Sequence, residues 1–206
     1  MDLHVPEGPV RSIKDFLLHI VIVTIGILIA LGLEQLVEAH NRARLAHEAV
    51  DGFTRELTSD GEQLRDILKT NPKVRAQVAE WIANLSSANP AKMDKYPAVH
   101  FDDLSTASWD TAMATHALAE LPYEQAHRYA GAYDALRVIA ELQRRALADW
   151  QDLHAFGLDP SAMTPDQRRT LIERLRRYEA DTIVLDSAGE NAIAQGRAAL
   201  GEKPHA

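Results

Sequence analysis

One uninterrupted apolar run near the N-terminus constrains this chain more than any other feature. It extends from Phe16 to Leu33, contains only His19 and Thr24 as polar residues, and carries no formal charge. Its eighteen residues would form a helix about 27 Å long, close to the ~30 Å hydrocarbon core of a bilayer. We therefore predict a short N-terminal segment (1–15), a transmembrane helix (16–37) and a helical bundle domain (38–206).

A cleaved signal peptide is the alternative interpretation of this run. Ala30-Leu31-Gly32 resembles a small-x-small cleavage site, and Arg11 and Lys14 would supply the basic region that precedes it. However, the run is longer than the usual apolar region of a signal peptide, and the helical pattern continues past Gly32. Both observations favour a retained signal anchor.

The basic residues near the run predict its orientation. Arg11 and Lys14 precede it, and Arg42 and Arg44 follow it, but the N-terminal pair lies closer to the apolar residues. By the positive-inside rule, the N-terminus is cytoplasmic. We therefore expect a single-pass protein of the bacterial inner membrane with its C-terminal domain in the periplasm.

The sequence of the span, H-I-V-I-V-T-I-G-I-L-I-A-L from His19 to Leu31, is followed by a charged helix. It resembles an uncharacterised family of bacterial single-pass membrane proteins, which carry an E-I-V-x-V-x-I-G-I-L-I-A-L-type span and a helical domain of unknown function. In this chain His19 stands where that pattern often has glutamate. The resemblance is limited to the span and its exit, and it implies a topology but no activity or site.

The sequence after the span predicts a second long amphipathic helix. Its apolar positions recur at alternating four- and three-residue steps, which produces one stripe: Ala46, Val50, Phe53, Leu57, Leu64 and Ile67. Asp60 is the only polar interruption of this series. Asn71-Pro72 predicts the end of the helix, because the residue before a proline avoids the helical region. A short helix should follow, with these residues on one face: Val74, Val78, Trp81, Ile82 and Leu85.

The remaining sequence predicts a long loop over 86–104 and three further helices. One covers 106–119, the next begins at Pro122 and reaches about Phe156, and the last begins with a capping box at Thr164-Pro165-Asp166-Gln167. No strand-like alternation of useful length occurs. The predicted fold class is all-α, with the transmembrane helix continuing into an antiparallel bundle of four to five helices.

Composition and motifs narrow the functional classes. The net charge of −8 argues against a nucleic-acid partner, and the absence of cysteine excludes thiolate metal sites and cysteine nucleophiles. Glu124-x-x-His127 is only half of a di-iron signature, and no phosphate-binding or hydrolase motif is present. We predict no enzyme activity, no cofactor, and no catalytic or metal-binding residue.

Three groups of residues are candidates for contact with other molecules. Gly26 and Ala30 form a small-xxx-small pair that would let a second transmembrane helix approach closely. His40 and His47 lie two turns apart on one helix face, at the lipid headgroups or in a packed seam. Basic residues on the last helix would contact an acidic partner or lipid phosphates, although a solvated face explains most of them: Arg174, Arg176 and Arg177.

These features lead to one leading hypothesis and two alternatives. The leading hypothesis is a membrane-anchored helical protein that acts through protein–protein contact. It would be a homo-oligomer or an accessory subunit of an envelope membrane complex, with membrane lipid and other membrane proteins as its partners. The first alternative is a periplasmic ligand-sensing bundle that signals through a partner, and the second is an enzyme with an unrecognised site.

Overall fold

The computed structural model describes residues 13–97 and 103–202, so most of the predicted N-terminal segment, including Arg11, lies outside the described residues. Within them the chain is helical and contains no strand, which confirms the all-α prediction. The described residues form four α-helices, joined by irregular segments and three 3₁₀ turns: α1 (Ile13–Leu85), α2 (Ala107–Ala114), α3 (Tyr123–Leu153) and α4 (Pro165–Ala199).

The first helix is continuous from the apolar run to the far end of the bundle. The predicted helix end at Asn71-Pro72 is wrong, and the short helix expected after it is the last part of α1. Pro72 lies on the exposed side of the helix, where its ring and the carbonyl that it leaves unpaired can face water. Asn71 and Val74 on either side of it are buried in the same stripe. Packing of that stripe outweighs the local cost of proline.

The three long helices form an antiparallel bundle. Buried positions of α1 from Phe53 to Leu85 alternate at four- and three-residue steps, and α4 shows the same spacing from Leu171 to Ala199. Such spacing keeps an apolar seam facing its neighbours along the whole bundle. α1 and α3 run away from the apolar run and α4 returns toward it. This direction places Asp186 of α4 beside Asn71 of α1.

Small residues on α4 allow it to approach α1 closely. A Cβ atom at Gly189 would lie 3.1 Å from Cδ2 of Leu68, which is tighter than an ordinary contact. Gly189, Ala192 and Gly196 are all buried at the interface. The absence of a side chain at Gly189 therefore permits the close approach of the two helices at this point.

An irregular segment, which we call the strap (86–106), connects the far end of α1 to α2. Near the far end, the Met93 N–H donates to the Leu158 carbonyl at 2.8 Å, and the Trp150 indole N–H donates to the Pro97 carbonyl at 3.2 Å. At the other end, Ser105 lies beside Asp60 in the middle of α1. The described parts of the strap confirm the predicted loop.

The helix predicted over 106–119 is shorter than expected. α2 ends at Ala114, His116 adopts a left-handed conformation with φ 59°, and Ala117–Glu120 forms a 3₁₀ turn. The change of direction at His116 buries Ala117 against the bundle and brings Glu120 within 3.7 Å of Arg42 on α1. Contact with α1 therefore determines where this helix ends.

The predicted starts of the last two helices are confirmed. α3 follows Pro122, and it ends at Leu153 before a 3₁₀ turn over His154–Phe156. α4 begins with the capping box, in which the Gln167 N–H donates to the Thr164 hydroxyl and the Thr164 N–H donates to the Gln167 side chain, at 3.2 and 2.8 Å.

The core consists of two apolar clusters on either side of a polar layer. The span-proximal cluster centres on Phe53, whose ring lies 4.7 Å from Tyr129 and 5.9 Å from Trp109. The distal cluster includes Trp81, Leu153, Leu171, Leu175 and Tyr178. Between them lies the paired layer, formed by Asn71, Arg75 and Asp186.

Candidate functional site

No described residue of the chain covers the first part of α1. Every residue from 13 to 44 is exposed, and the most apolar 18-residue window has a mean hydropathy of 2.8 with none of its residues buried. A long helix that is apolar on all sides needs an apolar surrounding. The length and composition of this segment fit a membrane span, and residues 45–97 and 103–202 do not shield it.

The candidate packing pair in the span faces away from the bundle. Gly26 lies 27 residues before Phe53, and Ala30 lies 27 residues before Leu57. This separation is about seven and a half helical turns, so the members of each pair point in opposite directions. The small pair therefore lies on the side of α1 opposite to the stripe that packs into the bundle. A second helix could contact this side without meeting α3 or α4.

The two candidate histidines continue the outward face of the small pair. By helical geometry, Gly26, Ala30, His40 and His47 fall within an arc of about 100°. The His47 side chain is 78% exposed, and its Nε2 atom lies 3.6 Å from the Asp51 carboxylate. Among the described residues, no three histidine, aspartate or glutamate side chains are arranged to hold a metal ion.

The three candidate arginines lie at the end of the bundle farthest from the span. Arg174 forms an ion pair with Asp152, and its guanidinium lies 5.6 Å from the centre of the Phe156 ring. Arg176 and Arg177 are exposed. This end is about 60 Å beyond Val37 along α1, so the arginines do not reach the headgroups of a bilayer that holds the span. For them, contact with a protein partner stays a prediction.

A pair of carboxylates that sequence analysis did not select lies where the strap meets α2. We call Glu56 and Asp60, which are one turn apart on α1, the acid pair. The Glu56 carboxylate accepts hydrogen bonds from the Ser108 N–H at 3.0 Å and from the Ser105 hydroxyl at 2.9 Å. Asp60 accepts a longer bond of 3.4 Å from the Ser105 N–H. The acid pair therefore holds the N-terminus of α2 against α1.

Asp60 is the buried and under-satisfied member of the acid pair. It is 2% exposed, and its Oδ2 atom lacks a hydrogen-bond partner among the described residues. The hydroxyl of the fully buried Tyr133 lies beside the Glu56 side chain. Burial raises the pKa of Asp60 to about 6, the hydrogen bond from Ser105 lowers it, and the charge of Glu56 raises it further. Burial also raises the pKa of Tyr133, with a further contribution from the charge of Glu56.

Two open grooves flank the contact between α1 and α2. The first, which we call the α1–α2 groove, has a volume of about 320 Å³ and is lined mainly by small and apolar residues that include Leu45, Ala49, Ala112 and Ala117. The second has a similar volume, and the acid pair lines it. Gly52 lies between the two, where an added Cβ would come within 3.1 Å of the Ser108 hydroxyl.

One sequence signal could have identified the acid pair. Asp60 occupies a position of the apolar series at which every neighbour is a core residue, and a carboxylate in such a place requires a partner or a proton. Glu56 and Tyr133 give no comparable signal, because their proximity depends on how α3 and the strap pack against α1.

Comparison of this chain with protein-family models, with curated proteins and with solved structures finds no match.

Proposed function

We propose that this protein is a membrane-anchored helical protein that acts through protein–protein contact. It would do so as a homo-oligomer or as an accessory subunit of an envelope membrane complex. The observation that carries the proposal is the continuity of α1, because one continuous helix joins an exposed apolar segment to a folded bundle. A bundle tethered in this way stays in a defined position beside the membrane.

The arrangement of α1 supports self-association through the span. The face that contains Gly26 and Ala30 points away from the bundle, so two chains can meet back to back with their bundles on the outside. A small-xxx-small pair permits close approach of two helices in lipid, where packing rather than the hydrophobic effect favours association. In the single chain an added Cβ at Gly26 meets nothing within 4 Å. A larger residue there would therefore disturb only a contact between chains.

The proposed topology follows from the charges that flank the span. The N-terminus would be cytoplasmic, the span would cross the bacterial inner membrane, and the bundle would lie in the periplasm. In this orientation Arg42, His40 and His47 lie close to the outer headgroups of that membrane. The bundle then extends about 60 Å from the bilayer, where it can reach partners in the envelope.

Native mass measurement of the full chain, extracted in mild detergent, tests the proposal. We expect a dimer or a defined complex with other membrane proteins. The double variant Gly26→Leu/Ala30→Leu should reduce the dimer fraction at least several-fold. Recovery of a monomer that co-purifies with nothing would contradict the proposal, and recovery of the chain from washed cells as a free protein would contradict the anchor.

Gly32→Leu is the matched control for this experiment. It makes the same change of size within the same span, on a side of the helix about 120° away from Gly26. An added Cβ at Gly32 also meets nothing within 4 Å in the single chain. Equal loss of the dimer in both variants would show that lipid packing, rather than the proposed face, determines association.

The α1–α2 groove favours a second candidate function, a ligand-sensing bundle. The groove begins at Leu45, about 12 Å along α1 from Val37, and its volume of about 320 Å³ would hold a small metabolite. Because a bound ligand stabilises the folded state, a thermal-shift screen against small metabolites tests this candidate. Absence of stabilisation across a broad set would exclude it.

A further inference from the structure

The contact between α2 and α1 depends on two carboxylates, and these are not equivalent. Glu56 is saturated, since it accepts bonds from the Ser108 N–H and the Ser105 hydroxyl. Asp60 is more deeply buried, accepts one long bond, and has an Oδ2 atom with no partner among the described residues. The hydroxyl of the fully buried Tyr133 lies beside the Glu56 side chain. A proton on Asp60 would remove the charge from a buried carboxylate that has one long hydrogen bond and a second carboxylate one turn away.

We propose that the acid pair is a proton-operated clasp, which holds α2 and the turn after it closed on α1 when Asp60 is protonated and releases them more often when Asp60 is ionised. The proton is the ligand and α2 is the moving element. Because α2 forms one wall of the α1–α2 groove, the clasp would control the shape of this groove, in the part of the bundle nearest the span. This inference does not depend on the proposed self-association.

The charges around Asp60 are consistent with this role. Glu56 on α1 and Asp103 on the strap add negative charge to the groove that the acid pair lines, and Arg55 is its only described cationic lining residue. α3 contributes Tyr133 beside the acid pair, and no described residue of α3 or α4 lines the groove. An ionised Asp60 therefore places a buried negative charge next to the half-buried carboxylate of Glu56, and the cationic side chain of Arg55 is exposed.

Linkage gives the direction and size of the effect. In the closed state the pKa of Asp60 is raised to about 6, and in an open state the water-exposed carboxyl titrates near its ordinary value of 3.8. The closed state therefore binds the proton more tightly, so closure is favoured as pH falls through about 6 and disfavoured as pH rises. The ratio of closed to open molecules should increase about tenfold from about pH 7.5 to about pH 5.

Hydrogen exchange on the full chain in lipid nanodiscs measures this ratio. Protection factors for amides of residues 107–120 are obtained over the range from about pH 4.5 to 8, after correction for intrinsic exchange rates. We expect protection to start rising as pH falls through about 6 and to be about tenfold greater at about pH 5 than at about pH 7.5. Flat protection factors would overturn the proposal. So would an equal change in the distal half of α4, since that result would indicate global rather than local opening.

Asp60→Asn and Asp66→Asn separate the clasp from general charge effects. Asp60→Asn keeps an oxygen that can accept from the Ser105 N–H, so protection of α2 should be high and independent of pH. Asp66 is an exposed carboxylate on the same helix, paired with Lys69, and its variant should keep the tenfold change. A pH dependence that persists in Asp60→Asn would overturn the proposal. If that variant does not fold, the wild-type titration decides the question alone.

Discussion

Two polar residues interrupt the apolar stripe of α1, and their surroundings differ sharply. Asn71 donates its side-chain N–H to Asp186 on α4 at 2.6 Å, and Arg75 donates to the other oxygen of the same carboxylate at 2.5 Å. Asp60, three turns earlier, accepts one long hydrogen bond, and its Oδ2 atom has no hydrogen-bond partner among the described residues. The same helix face thus contains one polar residue that is hydrogen-bonded, Asn71, which we call the satisfied position, and one that is under-satisfied, Asp60. The effect of a polar residue on the stability of a helical core can therefore be inferred only once its hydrogen-bond partners are known.

The satisfied position explains how the bundle selects one alignment. The four- and three-residue spacing on α1 and α4 would permit several registers that differ by a heptad, since each would bury apolar side chains. The observed alignment brings Asp186 into contact with both Asn71 and Arg75. In a shifted alignment the buried Asn71 and the half-buried Arg75 and Asp186 would lose these partners, so the paired layer favours the observed position of α4 along α1.

Among the substitutions that test this comparison, Asp186→Ala should have the largest effect on stability. It leaves Arg75 and Asn71 facing the core without an acceptor, and Arg75 has only 23% of its side chain exposed. We expect a loss of about 3 kcal/mol in the free energy of unfolding. Denaturation of the full chain by urea, followed by circular dichroism, measures the change. A loss of less than about 1 kcal/mol would show that water replaces the carboxylate adequately.

Asp60→Leu should act in the opposite direction. It removes a buried, poorly paired carboxylate and places an apolar side chain between the buried stripe positions Leu57 and Leu64. We expect an increase of about 2 kcal/mol in the free energy of unfolding near neutral pH, reduced by the lost bond to Ser105. Asn71→Leu is the comparison variant, and it should destabilise by about 1 kcal/mol because Asp186 loses a partner. Effects of equal sign would contradict the distinction between the two positions.

Local chemistry explains which parts of this structure the sequence predicts. The capping box at Thr164 and the start of α3 at Pro122 were predictable because both depend on neighbours in sequence. The helix end at Asn71-Pro72 was predicted wrongly, because the partner that keeps Asn71 inside the helix is Asp186, 115 residues away. His116 ends the helix before the predicted residue for the same reason, since contact with α1 determines the turn. The acid pair was missed because Tyr133 and Ser105 come from other elements.

The pH dependence of the free energy of unfolding should reveal the under-satisfied carboxylate of Asp60 without any substitution. The pKa of Asp60 is raised in the folded state to about 6 from 3.8, so its contribution favours the folded chain at low pH and is lost as pH rises from about 4 to 6. Burial raises the pKa of Asp181 as well, which adds in the same direction. From about pH 7.5 to about pH 5, the tenfold linkage at Asp60 corresponds to a gain of about 1.4 kcal/mol. Urea midpoints at the two pH values check it, and a lower midpoint at the acidic value would contradict it.

Pro72→Ala should have the smallest effect on stability. It tests whether the backbone next to Asn71 contributes to the contact between Asn71 and Asp186. Alanine restores an N–H that can donate to the Leu68 carbonyl, and Pro72 is exposed, so no side-chain packing is lost. The gain should be only about 1 kcal/mol, because proline also restricts the unfolded chain and α1 has already adapted to it. Urea denaturation with and without Asp186→Ala provides the measurement. If Pro72 helps to align Asn71 with Asp186, alanine will destabilise the wild-type chain but not the Asp186→Ala background. Equal stabilisation in both backgrounds would instead show that Pro72 weakens the backbone hydrogen bonding of α1 and does not contribute to the paired layer.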